Sequence, residues 1–190
     1  MQKINMEIKT KNLILIAEEG DMTGEKKLIA QCLKGELVGN QWHATDGIVW
    51  DIVVMGVGAL NVLNTLRDVP RETRLLNIGY AGSANFEIGS LVAVTEARLN
   101  HPCITYPEPK LMLTPVDATL LQCPDAVTQA VCYSNTDFVL QSDYRDCVFD
   151  MELAYIAGMG FSRLSALKIV SDNLSLHTYR QTAAGQNSPK

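Results

Sequence analysis

The chain has 190 residues, 47% hydrophobic and 19% charged, a balance that specifies a packed core rather than a disordered segment. A formal net charge of -5 opposes a phosphate backbone, so nucleic acid is not expected as a partner. The longest apolar runs, such as Ile52 to Leu60, fall short of the roughly 20 residues of a membrane span, so no membrane is expected either.

In chain order, short apolar runs alternate with helix-period segments, the pattern of an α/β domain. Leu13 to Ala17 reads as a buried strand. Glu25 to Leu33 follows as a helix, with Leu28, Ile29, Cys32 and Leu33 on one face. Ile48 to Met55 is a second strand, and Gly56-Val57-Gly58 turns it into a helix from about Ala59 to Arg67. Leu75 to Ile78 forms a third strand, closed by the loop Gly79-Tyr80-Ala81-Gly82. Leu91 to Ala97 and Ala130 to Ser134 are further strands, and Asp150 to Met159 is a helix. Leu164 to Val170 is the last strand and delivers Ser171-Asp172 at its carboxyl end, where open α/β sheets place ligands. Ser175 to Lys190 reads as partly frayed. The expected architecture is α/β: one domain over residues 1–190, a mixed β-sheet flanked by helices, with a short C-terminus after 174.

Five cysteines (Cys32, Cys103, Cys123, Cys132, Cys147) without a CxxC pair suit free thiols in a reducing cytoplasm. Met1 to Lys11 has no apolar stretch ending in a cleavage site, so no signal peptide is expected. His43, His101 and His177 are far apart, and no metal is expected. The Gly56-Val57-Gly58 turn sits where a dinucleotide fingerprint would, but Asn61 replaces its third glycine and no acidic residue follows on the next strand. Two acidic residues stand out. Asp172 ends a strand, where it either caps a helix or serves a ligand. Glu152 lies among Met151, Leu153 and Ala154, where a carboxylate must face out or find a partner.

Four stretches together carry a family likeness. Met55 to Gly58 is similar to a first glycine turn, and Leu76-Asn77-Ile78-Gly79-Tyr80-Ala81-Gly82-Ser83, running on to Ile88 to Val92, to an NxGxAGG…xGDxV signature. Phe149 to Ala157 is similar to a VEMExxAIA helix, and Ile169-Val170-Ser171-Asp172 to an xISD strand end. Over roughly residues 13 to 174 the chain resembles the methylthioadenosine/S-adenosylhomocysteine nucleosidase branch of the nucleoside phosphorylase superfamily. The resemblance implies hydrolysis of the N-glycosidic bond of a purine nucleoside, without cofactor or metal, by a homodimer.

Residue by residue, the resemblance makes Asp172 the general acid at the purine ring, with Ser171 beside it. Met151 and Glu152 become the ribose contacts, and Ala81 and Gly82 a backbone that the ligand approaches closely. Tyr133 to Val139 is similar to the family's SGDxFI segment, so Phe138 would stack on the base and Val139 offer it backbone groups. Asn77 stands where the superfamily's phosphorylases carry a phosphate-binding arginine, which implies water as the nucleophile. The water-activating carboxylate has three candidates: Asp21 by direct counting from Ala17, Glu25 by helix phase, and Glu19. The alternatives are a phosphorylase, a futalosine-type hydrolase, or a non-catalytic nucleoside-binding protein of the same fold.

Overall fold

The computed structural model describes residues 11–18, 24–100 and 110–184. Among them the elements run β1 (Asn12–Ile16), α1 (Lys26–Cys32), β2 (Gly35–Val38), β3 (Gln41–Ala44), β4 (Val49–Val54), α2 (Ala59–Leu66) and β5 (Arg74–Gly82). There follow β6 (Leu91–Leu99), β7 (Leu111–Met112), β8 (Val127–Ser134), β9 (Cys147–Asp150), α3 (Leu153–Gly158), β10 (Arg163–Asp172) and α4 (Leu176–Ala183).

The strands form one mixed sheet in the order β10-β6-β8-β9-β5-β1-β4-β3-β2, with β7 on β6. β10 also pairs with β5, so β10, β6, β8, β9 and β5 close on themselves. The β5–β9 side of this ring is held by one residue pair, Gly82 with Phe149. β4, β1, β5 and β10 are parallel neighbours, which brings their carboxyl ends to one edge.

A parallel strand covered on both faces must be apolar on both, and Leu13 to Ile16 of β1 are all buried. Leu13 and Leu15 pack into a cluster with Val62 and Leu66 of α2 and with Leu153, Ala154 and Ile156 of α3. Ile14 and Ile16 join Leu28, Ile29 and Cys32 of α1, together with Trp42 and Trp50, on the opposite face. The two periodicities, 2 along the strand and 3.6 along the helices, thus sort the chain into three layers. No helix among the described residues is long and apolar enough to cross a membrane.

Several expected elements change on folding. The Gly79-Tyr80-Ala81-Gly82 loop is strand instead, because its backbone pairs with Lys168 to Asp172 of β10. The helix expected from Asp150 begins only at Leu153: Cys147 to Asp150 pair in parallel with Val131 to Ser134. The apolar repeat of Phe149 to Ala157 runs across that boundary, so periodicity alone hides it. The tail is a helix from Leu176 to Ala183, capped by the Ser175 side chain accepting from the Thr178 N–H. β2 and β3 form an unforeseen hairpin, turned by Gly39 (φ 62°) and Asn40.

Candidate active site

The carboxyl ends of β1, β5 and β10 and the turn after β4 border a cleft of about 360 Å³. Glu25 enters it from the residue before α1. Its carboxylate turns away from the helix: Oε2 accepts from the backbone N–H of Ala17 (2.6 Å) and Glu18 (3.4 Å), and Oε1 from that of Tyr80 (2.9 Å). Oε1 fills the space above Gly79, where a Cβ would meet it at 2.7 Å, so this strand position needs glycine. Burial raises the Glu25 pKa, against the pull of Lys168 and the three N–H donors.

Glu152 occupies the bend between β9 and α3, outside the helix proper. Its Oε1 accepts from the N–H of Gly58 at 2.8 Å, and Gly58 presents that N–H from a φ of 87°. The glycine turn after β4 is therefore a donor to a carboxylate. Burial first, and repulsion from Asp150 second, raise the Glu152 pKa to about 7. The carboxylate that seemed stranded in an apolar helix has its partner across 94 residues of sequence.

Asp172 ends β10 almost wholly enclosed. Oδ2 accepts from the Ser171 hydroxyl (2.7 Å) and Oδ1 from the Ser175 N–H (3.1 Å), so it also orders the entry to α4. Burial raises its pKa, partly offset by the Ser171 and Ser175 hydrogen bonds, which favours the protonated form that an acid catalyst uses. A Cβ on Gly82 would lie 3.0 Å from Asp172 Oδ1, so Gly82 leaves room for this carboxyl.

Aromatic rings wall the cleft. Tyr179 of α4 lies 5.7 Å from Phe138, ring centre to ring centre, and edge-on to Tyr80 at 6.2 Å. Tyr80 therefore both lines the cleft and meets a neighbouring helix. Beside the main cleft a recess of about 30 Å³ is bordered by Phe138, Val139, Gly82, Met151 and Asp172. Glu25 and Glu152 border the main cleft and not this recess.

Ala81, Gly82, Phe138, Met151, Glu152, Ser171, Asp172 and Glu25 all line the main cleft, and Val139 the recess. Glu19 and Asp21 lie outside the described residues. The sequence reading missed a buried ion pair under the cleft floor, Lys168 Nζ to Asp150 Oδ2 at 2.7 Å. Its signal was present: a lysine inside the apolar strand Leu164 to Val170 cannot stay buried unpaired. Tyr179 was missed because the tail was not read as a helix.

No protein-family model matches the chain, and no curated protein matches it. Solved structures do match. The 5'-methylthioadenosine/S-adenosylhomocysteine nucleosidase from Helicobacter pylori with butyl-thio-DADMe-Immucillin-A is 17% identical, with a TM-score of 0.68, covering 94% of this chain and 93% of that one. The MTAN from Chlamydia trachomatis bound to MTA is 19% identical, with a TM-score of 0.65 and coverages of 93% and 88%. The futalosine hydrolase of Helicobacter pylori is 15% identical, with a TM-score of 0.60 and coverages of 93% and 95%. At these identities the likeness is one of fold, and the fold is the nucleosidase-like mixed sheet that the sequence motifs imply.

Proposed function

We propose that this chain hydrolyses the N-glycosidic bond of a purine nucleoside, of the methylthioadenosine/S-adenosylhomocysteine type. The observation that carries the reading is that one cleft gathers Asp172, Phe138, Glu25 and Glu152. All four line the main space, and Asp172 and Phe138 also border the recess beside it. Solved relatives in fold that hold MTA or adenine support a purine ligand for such a cleft.

In this reading the base lies against Phe138, and Asp172 gives its proton to a ring nitrogen as the bond to the sugar breaks. The bonding electrons leave with the purine, and the sugar carbon becomes oxocarbenium-like. Glu25 takes a proton from the water that attacks this carbon. Glu152 accepts hydrogen bonds from the ribose diol, which strengthen as positive charge develops on the sugar.

Water is the proposed nucleophile because the position at which phosphorylases carry an arginine holds Asn77, which is buried and donates to the Leu15 carbonyl, so no cation stands at that position for phosphate. The test is cleavage with and without phosphate: a rate indifferent to phosphate and free sugar as product are expected. Phosphate-dependent cleavage yielding sugar 1-phosphate would replace hydrolysis by phosphorolysis. The matching futalosine hydrolase fold keeps a larger 5'-substituent as a second reading, which the same assay separates with the two nucleosides side by side. Failure to cleave any purine nucleoside would favour a binding protein. We also propose a homodimer, supported by the exposed apolar side chains Val57, Leu60 and Leu63 on and beside α2.

Glu152→Gln should lower kcat/KM by about tenfold or more on ribonucleosides, the scale of a lost charged hydrogen bond, and much less on 2',3'-dideoxy analogues. Glutamine still accepts from the Gly58 N–H and gives up only the longer contact from the Met151 N–H, so the charge on the diol is lost with little disturbance of the bend. Equal losses on both substrates would make Glu152 a structural residue only.

A further inference from the structure

We propose that Lys168 is a positioning residue of this site: its buried ammonium, held by Asp150, is the shared counter-ion of the two cleft glutamates Glu25 and Glu152. The placement follows from strand register. Lys168 is the Cα partner of Gly79 across β10 and β5. Paired residues on adjacent strands send their side chains to the same face, about 4.8 Å apart. The space above Gly79 is the space that Glu25 Oε1 fills, so the lysine stem rises beside that carboxylate.

Asp150 fixes the far end of the lysine. Its Oδ2 takes the ammonium at 2.7 Å and the Leu153 N–H at 3.1 Å, and its Oδ1 takes the Ser134 hydroxyl at 2.5 Å. Ser134 is fixed in turn, since its oxygen accepts from the Ala154 N–H at 2.8 Å. Asp150 stands two residues before Glu152, on the segment that carries Glu152 to the cleft. The ammonium contacts Asp150 directly and reaches Glu25 and Glu152 through its charge from beyond ion-pair distance; both side chains of the ion pair are 2% exposed or less, so water screens little of that field. Among the other groups around this cluster, burial pushes the Cys132 thiol of β8 far up, the Tyr80 phenol to about 12, and the Tyr155 and Tyr179 phenols upward, so these stay neutral, while the cleft also carries Glu18, Asp172 and Arg180. Lys168 itself stays charged, its pKa raised by Asp150 and Glu152 despite burial. In the hydrolase reading, on which the catalytic consequence rests, a charged Lys168 keeps Glu25 able to accept a proton from water near neutral pH.

The experiment is a carbon NMR titration of the full chain labelled at glutamate Cδ, with Glu25→Gln and Glu152→Gln as assignments. In Lys168→Met both carboxyls should titrate higher by about one pH unit, the scale of losing a nearby opposite charge. In Lys168→Arg they should stay near the parent values. Lys168→Met strands Asp150, so the double variant Lys168→Met/Asp150→Asn removes both charges and keeps the test open if the single variant does not fold. There Glu25 should still rise, while Glu152, losing an anion and a cation together, should move less. A parent-like Glu25 titration in either folded variant would overturn the proposal. None of this needs turnover, so absence of nucleoside cleavage would count against the hydrolase reading alone. If cleavage is seen, the acid limb of kcat/KM should move up in pH with Glu25, and a limb that stays put would again overturn the proposal.

Discussion

Replacing Asp172 by asparagine should lower kcat for purine nucleoside cleavage by about 10²-fold or more, with the fold intact. The leaving purine is a poor anion, so most of its departure depends on a proton arriving at the ring. Asp172 is built to hold one: it is buried, and burial raises its pKa above the ordinary aspartate value. Asparagine keeps an oxygen for the Ser175 N–H, and the Ser171 hydroxyl can rotate to accept from the new amide. The turn into α4 should therefore survive, and melting should change little. The pH profile gives an independent check. As pH rises through the raised Asp172 pKa the acid is lost, so the parent rate falls on that limb. Asparagine has no proton to lose, and its residual rate should lack the limb. Adenine release followed over pH, with a melting curve for each protein, measures both effects; unchanged turnover in Asp172→Asn would remove the acid from the mechanism.

What the sequence disclosed and what it hid follow from the range of the interactions. β1, α1, β4, α2 and β10 were legible because a continuous apolar run or a face of period 2 or 3.6 is written locally in each. Of the three candidates for the water base, helix phase offered Glu25, because Leu28 and Ile29 fix which way α1 faces and hence where the residue before it stands, and its carboxylate lines the cleft. The strand character of Gly79 to Gly82 was hidden because glycines read as a loop, whereas here they make room for Glu25 and Asp172 while the backbone pairs with β10. The partnership of Glu152 with Gly58 and that of Lys168 with Asp150 join distant segments, and no local pattern encodes them. The same holds for Tyr179, which becomes a wall of the cleft only once α4 folds back over β10.

Glu25→Gln should lower kcat by about 10²–10⁴-fold while leaving adenine binding against Phe138 near its parent strength. The catalytic argument is that attacking water must lose a proton, and Glu25 is a buried cleft carboxylate, oriented by backbone donors, that serves neither the base nor, in the proposed mechanism, the ribose diol. Its two oxygens accept three backbone N–H groups, which hold it in one orientation without adding a competing positive side chain at hydrogen-bond distance. Glutamine disturbs that cradle. Whichever way the amide turns, its NH₂ meets a backbone donor, either Tyr80 or the Ala17 and Glu18 pair, and leaves it unsatisfied. The cost is about 1–3 kcal/mol, which for a chain of this size lowers Tm by roughly 2–4 °C per kcal/mol. Activity is therefore compared well below both melting points, where the folded fraction is complete. Adenine affinity by calorimetry then separates the two effects: a collapsed cleft would lose adenine along with turnover, and a missing base would lose turnover alone. Parent-like kcat in Glu25→Gln would move the water base to another carboxylate, with Glu19 and Asp21 the next two to replace.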